Sequence, residues 1–151
     1  MGAADVDAAK LCISLGLLVV VVFGSTVVAG MFYARQFIAV TYLANSNAQA
    51  ALVGAFPALS CAIISQMVGT TLGYALNGMS RTAEVASIQT FSIWLMTLPF
   101  GIYWGLFTPM GVQGFLWANV LGYTAKSILC GALLIRTDWN DQVEQIQQRN
   151  K

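Results

Sequence analysis

Charged residues are almost absent from the middle of this chain. Nine of its thirteen Asp, Glu, Lys and Arg residues lie within the first ten or the last sixteen positions. Three long stretches, residues 11–34, 36–80 and 85–125, contain no charged side chain. The hydrocarbon core of a bilayer is about 30 Å thick and needs about 20 apolar residues of helix to cross it. Because each stretch reaches that length, the sequence predicts a polytopic membrane protein.

The composition indicates the same class. Charged residues make up 9% of the chain and hydrophobic residues 58%, whereas a soluble domain has about 25% charged residues. Lipid cannot satisfy the backbone groups of an open strand, so the apolar stretches are predicted to be helices and the fold all-α. The net charge is only +1 and no basic patch is present, so nucleic acid is not an expected partner, whereas the lipid bilayer is.

The residue types of catalytic and metal sites are scarce. The chain has no His, and its three cysteines, Cys12, Cys61 and Cys130, lie in apolar stretches without a metal-binding spacing. The predicted spans contain neither paired carboxylates nor a nucleophile–base pattern. We therefore expect no catalytic residues, no metal site, no cofactor and no enzyme activity.

Polar turn segments divide the chain into four predicted transmembrane helices. They cover about residues 9–34, 48–77, 83–107 and 112–135. Residues 37–43 either extend the first helix or lie at the membrane interface. A polar tail, residues 136–151, follows, and the spacing of its apolar residues predicts a short amphipathic helix at the membrane surface.

The positions of the basic residues predict the orientation, because cytoplasmic loops carry an excess of Lys and Arg. With four spans and both termini cytoplasmic, Arg35 alone falls outside and Lys126 falls within the membrane. The remaining basic residues are then all cytoplasmic: Lys10, Arg81, Arg136, Arg149 and Lys151.

Small residues recur every fourth position in the second predicted helix, including Ser65, Gly69 and Gly73. Such a stripe allows a second helix to approach closely, so we interpret it as a helix-packing surface rather than a substrate path. Gln66 lies near the middle of the same helix. It is either a ligand in a substrate cavity or a hydrogen-bonding partner of a neighbouring helix.

Lys126 is the most prominent candidate for a functional residue. Ionisable groups inside membrane helices are costly and usually face protein or a wet cavity. Asn119, Tyr123, Lys126 and Cys130 share one helix face by their spacing. We expect Lys126, with Asn119 and Tyr123, to face a substrate cavity. The alternative is that the Lys126 side chain extends toward the cytoplasmic interface.

Several short motifs carry a resemblance to a known family. A leucine-rich helix end is followed by Thr137-Asp138-Trp139 and an acidic segment. Residues 77–81 are similar to an Arg-Gly-x-Gly-Arg loop motif, of which this chain keeps only Gly78 and Arg81. Residues 1–10 and the segments 98–101 and 111–117 match further motifs, with one extra residue before Trp117. In this order and over nearly the whole chain, they resemble the multidrug and toxic compound extrusion (MATE) family of transporters.

The resemblance implies helices nine to twelve of a twelve-helix transporter that expels organic solutes in exchange for H⁺ or Na⁺. The family's coupling acids in the second bundle lie chiefly in a helix that this chain lacks. Sodium-coupled members can also have an acid in the helix matching residues 48–77, which contains none here. Met1 falls within a loop motif, so we expect a truncated product or gene model that is inactive alone. Its partners would be the missing helices or further copies of the chain.

The alternative hypothesis is a self-standing four-helix membrane protein. It would act as a homo-oligomeric small exporter or as a scaffold that binds other membrane chains through the surface of Gly69 and Gly73. A proton-coupled exporter needs a carboxylate within the membrane, and the first two predicted spans contain none. This absence favours the transporter-fragment hypothesis.

Overall fold

The computed structural model of the protein describes residues 6–137 and residue 139. These residues form four long helices and no strand: α1, Val6–Tyr42; α2, Ser46–Gly78; α3, Thr82–Leu106; and α4, Val112–Arg136. The helices contain 37, 33, 25 and 25 residues, and the most apolar window of each has a mean hydropathy between 1.4 and 2.6. Each is therefore long and apolar enough to cross a bilayer. The prediction of an all-α membrane protein with four candidate spans is confirmed.

The first helix is longer than the charge pattern predicts. We expect it over residues 9–34, but α1 continues to Tyr42, so residues 37–42 extend the helix. Arg35 lies within this helix, and its guanidinium lies over the Phe32 ring, 4.1 Å from the ring centroid. The charge is thus held along the helix surface while the backbone hydrogen bonds continue.

The second helix begins at a capped turn. The side chain of Asn45 accepts a hydrogen bond from the backbone N–H of Asn47 at 2.9 Å, which satisfies one of the free donors at the start of α2. The Gln49 side chain donates to the carbonyl oxygen of Leu43 at 2.6 Å and ties α2 to the end of α1. Pro57 lies inside α2, which continues through it to Gly78.

The third helix is not regular. We expect an uninterrupted helix over residues 83–107, but Ser92–Thr97 forms a π-helical turn. The hydroxyl of Thr97 donates to the carbonyl oxygen of Ser92 at 3.1 Å and satisfies part of the loosened backbone. Pro99 follows directly and cannot donate to the preceding turn, so the wider turn forms where the regular hydrogen-bond pattern is already interrupted.

Helix α4 runs parallel to α2. A methyl group built on Gly54 would lie 2.7 Å from Nε2 of Gln113, and one built on Gly69 would lie 2.8 Å from Oγ of Ser127. Because the residue numbers of the two contacts rise together, the two helices have the same direction. Glycines at these contacts let the helix backbones approach closely.

Helix α3 runs antiparallel to α4 and packs against it. Gly114 near the start of α4 lies against Trp104 near the end of α3, whereas Gly122 lies against Thr97 and Ser92. Helices α2, α3 and α4 therefore form one packed unit. At the end where α2 and α3 connect, its core contains Leu72, Leu76, Val85 and Cys130.

Helix α1 packs only on α2 among the described helices. A methyl group on Gly24 would lie 2.8 Å from Sδ of Met67, so the two helices are close together at this point. Most of the large apolar side chains of α1 remain exposed, including Leu18 and Val19, which are 60% and 62% exposed. The outer surface of α1 is thus an apolar surface suited to lipid or to further membrane helices.

The two ends of the described chain lie on the same side of the bundle. The ammonium of Lys10 lies 5.6 Å from the ring centroid of Trp139, within the range of a cation–π contact. An even number of spans requires this arrangement. The amphipathic helix predicted for the tail falls, apart from Trp139, outside the residues that the structure describes.

Candidate functional site

A stripe of five buried residues runs along α4, one at every fourth position. Its members are Gly114, Ala118, Gly122, Lys126 and Cys130. The three small residues bring α4 close to α3, and the last two continue the same face toward the end of α2. Lys126 is 8% exposed and therefore faces the helix bundle rather than the surrounding lipid, which is the orientation expected from its spacing.

Two hydrogen bonds join α2 and α4 beside this stripe. The hydroxyl of Ser127 donates to the carbonyl oxygen of Ser65 at 3.1 Å, and it also lies 2.9 Å from the carbonyl oxygen of Tyr123. The hydroxyl of Thr124 donates to Oγ of Ser65 at 3.3 Å. Ser65 and Gly69 therefore both contact α4, one through hydrogen bonds and the other through close approach to Ser127.

A groove of about 370 Å³ lies between α2, α3 and α4, with Lys126 in its wall. The α2 side carries hydroxyl and amide groups, as does the α3 side. The lining residues are Thr70, Gly73, Tyr74, Asn77, Thr82, Val85, Ala86, Gln89 and Lys126. We call this space the Lys126 groove. It combines one positive charge with several neutral hydrogen-bonding side chains.

The Lys126 side chain lies beside Gly73, whose added methyl group would be 3.9 Å from Cε of Lys126. Gly73 lies five residues before Gly78, where α2 ends. At about 1.5 Å of rise per residue, Cε of Lys126 is therefore about 7.5 Å from that end. Asn77 and Thr82 flank the turn between α2 and α3, so the groove extends from Lys126 to this end of the bundle.

The ammonium of Lys126 has no ion pair or hydrogen bond within the described part of the chain. The carboxylates of that part belong to Asp7 and Glu84, each in the first turn of its helix. Glu84 lies 3.4 Å from the guanidinium of Arg81 and does not line the groove. Within the described part of the chain, no carboxylate balances the positive charge of Lys126 in the groove. No cluster of metal-binding side chains occurs among the residues that the structure describes.

The four residues predicted to line a substrate cavity do not share one cavity. Gln66 lines a separate groove of about 400 Å³ between α1 and α2, together with Val20, Phe23, Ile63, Met67, Thr70 and Thr71. The amide of Asn119 donates to the carbonyl oxygen of Phe115 in its own helix at 3.1 Å. Tyr123 is partly buried beside the contact between α2 and α4.

Thr70 lines both the groove of Gln66 and the Lys126 groove. Gln66, Thr70, Tyr74 and Asn77 consequently form a polar face on α2 that leads from one groove to the other. The spacing of i, i+4, i+8 and i+11 was visible in the sequence, and Thr82 and Gln89 on α3 are likewise two helical turns apart. That the faces of two different helices meet at Lys126 follows only from the tertiary structure.

A third groove, of about 590 Å³, lies on the surface formed by α3 and α4. Its lining is almost entirely apolar and includes Met96, Trp104, Met110 and Trp117. This composition is typical of a surface that contacts lipid tails. The Lys126 groove is therefore the better candidate for binding a polar solute.

Comparisons with known proteins relate the chain to one family of transporters. No protein-family model and no solved structure matches it. Protein DETOXIFICATION 41 of Arabidopsis thaliana is 24% identical over 151 residues, and Protein DETOXIFICATION 31 of the same plant is 23% identical over 151 residues. Multidrug and toxin extrusion protein 1 of Homo sapiens is 21% identical over 148 residues.

These matches cover nearly all of this chain but a smaller part of each relative. They include 100% of the chain for the two plant proteins and 97% for the human protein. The chain spans 30% of the length of Protein DETOXIFICATION 41, 29% of Protein DETOXIFICATION 31 and 26% of the human protein. The identity is low but consistent across the plant and animal proteins, in agreement with the motifs and the four apolar helices. The chain is therefore related, over its whole length, to the multidrug and toxic compound extrusion family of transporters.

Proposed function

We propose that this chain forms the last four helices of a MATE-like efflux transporter, which exchanges organic solutes for H⁺ or Na⁺. The observation that carries the proposal is the match of the whole chain to proteins named for detoxification or for extrusion of drugs and toxins. The family consists of secondary transporters and not of enzymes. The scarcity of catalytic residue types in the sequence agrees with this class.

The second part of the proposal is that residues 1–151 do not transport by themselves. The chain corresponds to 30% or less of the length of each relative named above. Alternating access in transporters of this kind arises when one helix bundle moves against another around a site between them. The described carboxylates, Asp7 and Glu84, lie at helix starts rather than in the middle of a span. Four helices with this distribution of acids provide neither a second bundle nor a coupling carboxylate.

The residues proposed to contact solute are Gln66, Asn119, Tyr123 and Lys126. Among these, Gln66 and Lys126 each line a groove, and the two grooves share Thr70 in their walls, so these two residues are the stronger candidates. Asn119 and Tyr123 lie on α4 beside the buried stripe and are only partly buried. A further helix on that side would enclose them.

We also propose that both termini are cytoplasmic, because this orientation leaves Arg35 as the single basic residue of the outer side. The turn between α2 and α3 is then cytoplasmic, and the Lys126 groove opens toward the cytoplasm. An efflux transporter loads its solute from that side. The orientation and the position of the groove are thus consistent with the proposed direction of transport.

The proposal is tested with two proteins in the same export assay. One is the chain of residues 1–151, and the other is a chimera in which this chain replaces the matched segment of Protein DETOXIFICATION 41. Cells are loaded with a fluorescent organic cation or, in a parallel series, with a fluorescent carboxylate, and the efflux of each is followed with and without a proton or sodium gradient. We expect gradient-dependent efflux from the chimera and none above the vector control from the chain alone.

A chimera carrying Gly30→Ala serves as the matched control and should export like the unmodified chimera, because nothing lies within 4 Å of the added methyl group and neither groove is altered. Efflux by the chain alone would support the alternative of a homo-oligomeric small exporter. A chimera that reaches the membrane intact and exports nothing would contradict the proposed role of the chain as the matched part of a transporter.

A further inference from the structure

The Lys126 groove contains a charge that the described residues leave uncompensated. Lys126 is 8% exposed, and its ammonium has no partner in the described part of the chain. An ammonium offers three donors and no acceptor, so its preferred partners are groups that accept hydrogen bonds and carry negative charge. The groove therefore favours an acceptor group that bears negative charge.

The neutral residues of the groove suit the same kind of group. Asn77 and Gln89 each carry an amide that can donate two hydrogen bonds, and Thr82 carries a hydroxyl donor. A carboxylate or phosphate oxygen accepts several such bonds at once, and bonds to charged groups are the stronger ones. A cationic group would instead meet the Lys126 ammonium without a carboxylate in the groove to balance it.

The size and the apolar part of the groove limit the ligand further. A volume of about 370 Å³ lies at the lower end of the range of small-molecule sites, about 300–1,000 Å³. Val85 and Ala86 provide an apolar wall next to the polar residues, and Tyr74 provides an aromatic ring. This lining fits a molecule with one oxyanion group and a small apolar body.

We propose that the Lys126 groove binds the oxyanion group of an organic acid, with Lys126 as the charged ligand. Asn77, Thr82 and Gln89 donate the accompanying hydrogen bonds. This inference rests on the proposed function, because it treats the groove as a solute-binding site. The same oxyanion chemistry has a second source in the membrane, the phosphate of an anionic lipid headgroup, because the groove reaches the end of the bundle.

The test measures binding rather than export, so its failure is distinct from failure of the transport proposal. The chain of residues 1–151 is placed in phosphatidylcholine nanodiscs, and binding of radiolabelled benzoate is measured. We expect Lys126→Met to weaken binding by about tenfold or more, because it keeps the length of the side chain and removes the charge. Lys126→Arg should retain most of the affinity. Lys10→Met is the matched control for loss of one positive charge and should have no effect.

A second set of nanodiscs contains phosphatidylglycerol and identifies the source of the oxyanion. If this lipid weakens benzoate binding and co-purifies with the wild type but not with Lys126→Met, the oxyanion site is supported and its ligand is the headgroup. If benzoate binding is unchanged by the lipid but depends on Lys126, the ligand is the free acid. Equal binding by the wild type and Lys126→Met, or no binding of either probe to a folded wild type, overturns the proposal.

Circular dichroism and size-exclusion chromatography establish that each variant is folded. If Lys126→Met does not fold, Gln89→Leu provides the second variant, because Gln89 lines the groove from α3 and is not part of the contact between α2 and α4. It should weaken benzoate binding by about threefold or more. The same variants in the chimera repeat the measurement in a complete set of helices.

Discussion

Gly114→Ala should destabilise the contact between α3 and α4, although alanine is the better helix former. A methyl group at position 114 would lie 2.5 Å from the carbonyl oxygen of Trp104 and 2.7 Å from its carbonyl carbon. Ordinary contacts of a Cβ atom begin at 3.4 Å. Because the obstructing atoms belong to the backbone of α3, no side-chain rotation relieves the overlap, and the helices must separate by roughly 1 Å.

The magnitude follows from two opposing terms. Overpacking of a tight interface costs about 1–3 kcal/mol, and contacts with backbone atoms favour the upper half of that range. Replacing a helical glycine with alanine returns about 1 kcal/mol. The expected net loss in free energy of unfolding is therefore about 1–2 kcal/mol. Gly30→Ala in α1 is the matched control, since nothing lies within 4 Å of the added methyl group, and it should gain up to about 1 kcal/mol.

Unfolding in mixed micelles by increasing sodium dodecyl sulfate measures both variants. Tryptophan fluorescence follows the transition, and Trp104 lies directly at the altered contact. The reasoning requires Gly114→Ala to unfold at a lower detergent fraction than the wild type and Gly30→Ala to unfold at the same or a higher one. If the two variants unfold at the same detergent fraction, the proposed close contact between Gly114 and Trp104 does not hold the helices together in a membrane environment.

Three further measurements address orientation, polar contacts and the buried charge. In a cysteine-free background, a cysteine at Asn47 should react with an impermeant reagent added to intact cells and one at Gln145 should not; the reverse pattern would invert the proposed topology. Ser127→Ala should lose about 0.5–1.5 kcal/mol of unfolding free energy by removing the bond to Ser65, and an unchanged value would show that this bond contributes nothing. Lys126→Leu should insert as well as the wild type or better, since a lysine within a span opposes insertion; reduced insertion in a glycosylation-mapping assay would contradict the cost assigned to the charge.

The number and type of the helices could be predicted from the sequence because they depend on one dominant physical requirement. A segment without charge and of sufficient length is stable in lipid only as a helix. The ends of the helices depend on weaker and more local effects. The charge pattern predicts a first span over residues 9–34, whereas α1 continues past Arg35 to Tyr42. The π-helical turn of α3 lies just before Pro99, but its position, where Thr97 meets Gly122 of α4, depends on how the helices pack and could not be read from residue spacing.

The arrangement of the candidate site was only partly accessible from the sequence. Spacing within one helix assigns residues to a face, and the inward orientation of Lys126 follows from such spacing. It also grouped Asn119 and Tyr123 with Lys126, but the face defined by i, i+4 and i+7 is broad. The structure places Lys126 in the buried stripe and the other two beside it. Contributions from other helices, such as Gln89 of α3, depend on how the helices pack.

Gly69 and Gly73, which form one motif in the sequence, have different surroundings in the structure. A methyl group on Gly69 would lie 2.8 Å from the hydroxyl oxygen of Ser127, whereas one on Gly73 would meet its nearest neighbour, Val85, at an ordinary 3.5 Å. Gly69 therefore permits the close approach of α4, and Gly73 leaves room for the stem of Lys126. We expect Gly69→Ala to lower the free energy of unfolding relative to Gly73→Ala by about 1 kcal/mol or more. Gly73→Leu should instead fill the Lys126 groove and remove benzoate binding. Equal stability of the two alanine variants would mean that the glycine pair acts as a single packing surface.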